Sequence, residues 1–149
     1  MVSLRPATGE DCAAVYRVQV DAIRNLPGGA AGREGTEKWL ATRRPSGYAR
    51  DMQEELFFVA EEQGEVIGWG ALSTEKQEIT NVFVDPAHHR RGVGRAIIRT
   101  LENAAREAGL KSVTLRATGT AIEFYLATGY RADPPVEPGA AWALMTKAL

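Results

Sequence analysis

The residues best able to do chemistry lie in one stretch, Asn81-Val-Phe-Val-Asp-Pro-Ala-His-His-Arg-Arg-Gly-Val-Gly-Arg95. An apolar run ends at Asp85–Pro86, and a helix is expected to begin within a few residues. A helix start presents four unpaired N–H groups and about half a positive charge. Gly92 and Gly94 carry no side chain where an anion must come close to the backbone. Arg90, Arg91 and Arg95 add positive charge around the same point. A pyrophosphate suits this arrangement better than a plain helix start with solvated arginines. Two other phosphate loops are disfavoured. No Gly-Lys-Ser/Thr is present, and the third glycine of a Gly-x-Gly-x-x-Gly would fall on Ile97.

The elements that must position this loop are read from apolar spacing and breakers. Val2–Arg5 reads as a short edge strand. Thr8 offers an N-cap, and Ala14, Val15, Val18, Ala22 and Leu26 predict a helix over 9–25. Pro27–Gly35 is a glycine-rich connection. A shorter helix carrying Trp39 and Leu40 is expected to end at Pro45–Gly47. Leu56–Ala60 and Val66–Leu72 form a hairpin around Gln63–Gly64, followed by a strand at Glu78–Val84. Val93, Ile97, Leu101, Ala104 and Ala108 predict a long helix, with Gly109 as its stop. Val113–Leu115 is a strand. Thr120 and Glu123 resemble a capping box for a short helix that Gly129 closes. Trp142–Thr146 supplies a last strand, with room for one more at Tyr130–Ala132. Trp69 and Trp142 read as packing residues. The order implies a mixed α/β sheet in a single domain, residues 1–149, with a strand–helix–strand crossover from 78 to 117.

Composition narrows the function classes. The chain has 149 residues, 44% of them hydrophobic and 25% charged, with a formal net charge of −1. Nothing in this balance points to nucleic acid or to an anionic membrane surface. The single cysteine, Cys12, excludes an internal disulfide. With no apolar run of ~20 residues and no signal-like start, the expectation is a cytoplasmic protein. His88 and His89 have no Cys or carboxylate at ligand spacing, so no metal is expected.

The loop resembles motif A of the GNAT superfamily of N-acetyltransferases, Gln/Arg-x-x-Gly-x-Gly/Ala after a strand and a proline. Here it reads His89-Arg90-Arg91-Gly92-Val93-Gly94, departing at His89. A second segment, Ala121-Ile-Glu-Phe-Tyr-Leu-Ala-Thr-Gly-Tyr130, is similar to the family's Ala-x-x-Phe-Tyr-x-x-x-Gly-Phe/Tyr. The resemblance implies a mixed, mostly antiparallel sheet of six to seven strands flanked by about four helices. It implies acetyl-CoA as co-substrate, bound by Val82, Phe83, Val84, His89, Arg90, Arg91, Gly92, Val93, Gly94, Arg95 and Tyr125.

It further implies a β-bulge near Val84 that aims a backbone N–H at the developing oxyanion. Tyr125 would lie beside the cofactor sulfur as general acid, and Glu78 would act as general base through water. A lysine-like amine is short of its neutral form by roughly 4.6 kcal/mol at pH 7, which is why a base is needed. Trp39 and Tyr48 are the candidates to flank the acceptor, a small amine or a peptide or protein amine. A homodimer is also compatible with the resemblance. The alternative is a non-catalytic module that binds acetyl-CoA and acts through a partner.

Overall fold

The computed structural model describes residues 2–25, 37–38, 41–119 and 121–149. Six strands form one sheet in chain order: β1 (Ser3–Pro6), β2 (Leu56–Glu62), β3 (Glu65–Ser73), β4 (Glu78–Val84), β5 (Ser112–Thr118) and β6 (Trp142–Ala148). Neighbours pair antiparallel except β4 and β5, which run parallel because a helix connects them. Among the described residues, four helices with complete bounds accompany the sheet: α1 (Cys12–Arg24), α2 (Tyr48–Glu54), α3 (Val93–Glu107) and α4 (Ile122–Ala127); residues 37–38 and 41–42 are also helical.

Two cores form on opposite faces. Val15 and Val18 of α1 pack with Tyr48, Phe57 and Trp69. Trp69 is buried, and its indole N–H donates to the Val15 carbonyl at 3.1 Å. On the other face Val93, Ile97, Ile98, Leu101 and Ala105 of α3 pack against Ile67, Ile79, Val113 and Leu115. The buried stripe swings to Ile98 and Ala105 rather than Ala104 and Ala108, as a 3.6-residue period requires. α3 lies close to β3 because Gly68 and Gly70 face it. A Cβ on Gly70 would stand 2.6 Å from Ile97 Cγ2 and 2.9 Å from Leu101 Cδ1.

Several sequence expectations change. Residues 37–38 and 41–42 are helical and the helix stops before Pro45, as expected, but Pro45–Gly47 also opens the next helix. This segment is a 3₁₀ turn with proline in its first positions, leading straight into α2. Proline fits there because a first-turn N–H has no helical partner anyway. The strand weighed at Tyr130–Ala132 is a single bridge, Arg131 to Thr146. Thr120, Trp39 and Leu40 lie outside the described residues.

Candidate active site

β4 and β5 begin side by side and then part. Their only pairing is Glu78 with Thr114, supported by the Thr114 N–H donating to the Gln77 carbonyl at 2.9 Å. Beyond that point a cleft of about 270 Å³ opens, lined by residues 79–84 of β4 and 115–118 of β5. Ala22, His89, Ala121 and Tyr125 complete its walls.

The phase of β4 shows what faces the gap. Asp85 N–H donates to the Ile67 carbonyl at 2.8 Å, one step beyond the Val84–Gly68 register pair. In an antiparallel ladder bonding alternates, so Phe83 and Asn81 bond to β3 while the N–H and C=O of Val82 and Val84 point into the cleft. The Val84 carbonyl meets His89 Nε2 there at 3.1 Å. A strand edge inside a sheet, with no strand across from it, calls for a hydrogen-bonding occupant.

The α3 end of the cleft fits an anion. Gly92 is the N-cap at φ 79°, a left-handed conformation that glycine adopts freely. Arg90 is also left-handed, at φ 65°. The first helical bond here is Ala96 N–H to the Gly92 carbonyl, leaving the N–H groups of Val93, Gly94 and Arg95 without helical partners. At Gly94 a Cβ would meet only Val84 and Phe124, at 3.7 and 3.8 Å, so the spot is open.

The three arginines differ. Arg91 is bound to Glu62 at 2.8 and 3.1 Å and to His88 Nδ1 at 2.7 Å. Its guanidinium holds the Glu62 carboxyl below its usual range. This pair fastens the loop to the end of β2. Arg90 and Arg95 have no side-chain partner among the described residues. Asp85 is the turn residue its position before proline suggested, accepting from Ala87 N–H at 3.0 Å.

Tyr125 stands on the wall formed by α4, 9% exposed, its ring edge-on to Phe124 and Tyr130. Burial pushes its hydroxyl up to about 12. That hydroxyl makes no hydrogen bond among the described residues. Behind it the buried Glu102 accepts from Tyr130 at 2.7 Å and from Lys147 at 3.1 Å, pinning the turn after α4 to α3 and β6.

Glu78 sits at the closed end of the cleft, half-buried and not on its lining. Ile79 belongs to the α3-side core, so alternation puts Glu78 on the α1 face. The bulge is not at Val84. Ala71 pairs with Asn81 and Leu72 with Ile79, which makes Thr80 the extra residue. Thr80 donates to Glu55 and to the Ala71 carbonyl. Glu55 was not singled out from sequence, because only the bulge brings Thr80 to it.

Tyr48 does not flank an open site in this arrangement. It is fully buried, donates to Gln19 and packs edge-on against Trp69. Trp142 is no packing residue. It is 57% exposed, with the Arg116 guanidinium 5.3 Å from its ring. Among the described residues no group of His, Cys, Asp or Glu is placed to hold a metal, and no helix is long and apolar enough to cross a membrane.

Comparison with known proteins shows which family the chain belongs to. The model of the acetyltransferase (GNAT) domain family matches residues 29–148, and the chain belongs to that family. The amino-acid acetyltransferase of Mycobacterium tuberculosis is 35% identical over 130 residues, covering 80% of this chain and 70% of that protein. A GCN5-related N-acetyltransferase structure from Rhodopseudomonas palustris superposes with a TM-score of 0.84 at 29% identity, covering 99% and 95% of the two chains. The fold is also that of the PaiA N-acetyltransferase of Thermoplasma acidophilum, solved with coenzyme A. There the TM-score is 0.88 at 16% identity, covering 100% and 99%. The chain spans about a third of the length of the first curated relatives it matches. The mixed, mostly antiparallel sheet expected from the sequence is the one observed.

Proposed function

We propose that the chain is an acetyl-CoA-dependent N-acetyltransferase acting on a primary amine. The observation that carries this reading is the parted β4–β5 pair, which runs from the open α3 N-terminus to the unbonded Tyr125 hydroxyl. The groups present fit the co-substrate. Val93, Gly94 and Arg95 N–H groups, with Arg90 and Arg95 side chains, would hold the pyrophosphate. Val82 and Val84 would pair with the amides of the pantetheine arm. Phe83, included in the expected set, contributes only its side chain, since its backbone is turned to β3. Arg91 shapes the loop by holding Glu62 rather than meeting phosphate directly.

Acetyl-CoA supplies the acyl group as a thioester, and the amine takes it by direct attack. Tyr125 stays protonated because burial raises its pKa, so it can donate to a departing sulfur and cannot act as base near neutral pH. Of the two cleft-facing N–H groups, those of Val82 and Val84, the one the pantetheine arm leaves unpaired is the oxyanion donor. Glu78 removes the amine proton through water from the closed end on the α1 face. Glu55, next to the bulge, is the carboxylate to test beside it.

Thermal melting with and without acetyl-CoA tests the cofactor half. At a hundredfold excess over Kd the added stability is about 2.7 kcal/mol. A CoA-release assay over a panel of amines tests the transfer half. Acetyl-CoA binding without CoA release from any amine favours the non-catalytic module.

A further inference from the structure

The mouth of the cleft on the α1 face has a polarity that the co-substrate leaves unused. Val113, Leu115 and Ala117 of β5 pack toward α3, so Arg116 and Thr118 project on the other face. Arg116 lines the cleft and has no carboxylate partner among the described residues. Its guanidinium lies over Trp142, which limits the guanidinium's freedom and leaves its N–H edge open. Across the gap the β4 wall itself is uncharged, but Thr80 connects it to a net acidic hollow of three carboxylates, Glu54, Glu55 and Glu75, and one cation, Lys76. Thr80 is held there by Glu55.

A protonated amine entering here meets an unpaired guanidinium of its own sign, which costs free energy unless the molecule brings an anion. A zwitterion resolves the conflict, with its ammonium toward the Glu55 side and its carboxylate on Arg116. We infer that the acceptor is a free amino acid whose carboxylate is received by Arg116 on the Trp142 platform. The inference rests on the transferase reading above and specifies its acceptor.

The test measures CoA release with free α-amino acids, each compared with its own carboxamide and with a peptide that begins with it. Free acids are expected to exceed both by about ten- to hundredfold in kcat/KM, the range of a charge-assisted hydrogen-bonded pair. In Arg116→Gln that ratio falls close to one, through a rise in KM for the acids. Arg116→Lys recovers part of it, because charge remains while the bidentate fork is lost. The melting shift with acetyl-CoA reports separately that each variant is folded and its cofactor site intact. Carboxamides or peptides used as well as the acids would overturn the inference, as would a ratio that survives in Arg116→Gln. If acetyl-CoA raises the melting temperature but no amine in any form releases CoA, the transferase reading fails first and takes this one with it.

Discussion

Tyr125 and Arg91 show how much one residue's surroundings decide. The tyrosine hydroxyl is buried and makes no hydrogen bond among the described residues, so the proposed acid stays protonated across the physiological range. Tyr125→Phe should lower kcat by about a hundredfold, the usual scale of general acid catalysis, while acetyl-CoA still raises the melting temperature. Because its pKa lies near 12, an alkaline loss of rate between pH 8 and 10 must come from another group. The same limb should therefore reappear in Tyr125→Phe when full pH–rate profiles are compared. Arg91 is engaged with Glu62, whereas Arg90 and Arg95 have no side-chain partner among the described residues. Isothermal titration with CoA should show a larger loss of affinity, and a larger fall in salt dependence, for Arg90→Ala or Arg95→Ala than for Arg91→Ala. Sequence put all three arginines near phosphate. It had no access to the Glu62 pairing, since that depends on where β2 ends relative to a loop 29 positions later.

Among the elements, the two loop glycines serve different needs. Gly92 is required for its left-handed backbone, which costs other L-residues roughly 1–2 kcal/mol. Gly94 is required for the space above the helix end. Gly92→Ala should therefore lower stability in denaturant melts, whereas Gly94→Ala should not. Gly94→Val should spare the fold and weaken CoA binding. Gly70→Ala pushes a methyl into Ile97 and Leu101 and should cost about 1–3 kcal/mol by overpacking, read in the same melts. The strands and α3 were legible because alternation and a 3.6-residue stripe persist over many positions. α2 was not, because seven polar-rich residues carry too few turns for a period to show, and proline read as a stop is also a proper start. The bulge at Thr80 left no sequence signature at all. The exposure of Trp142 follows from β6 being the outer strand, a property of sheet order rather than of composition.

At the scale of the whole molecule, buried phenols set an alkaline limit. Tyr48, Tyr125 and Tyr130 are all held above their ordinary value, chiefly by burial, with Glu102 adding to Tyr130. Above pH ~10 the unfolded chain releases these protons while the folded chain keeps them, so unfolding becomes progressively easier. Melting temperature should hold from roughly pH 7 to 10 and fall between about pH 10 and 12. A Tyr130→Phe variant removes one such phenol, at the expense of leaving Glu102 with Lys147 alone.

The separation of β4 from β5 also acts as a built-in clock. β1–β4 and β5–β6 share a single backbone pairing, so the amides of Val82 and Val84 have no ladder to shelter them. In deuterated buffer these two positions should exchange early in the free chain, while their neighbours Asn81 and Phe83, bonded to β3, exchange late. A bound pantetheine arm would act as a surrogate strand and slow that pair selectively, so hydrogen–deuterium exchange can follow occupancy residue by residue before any acceptor is known.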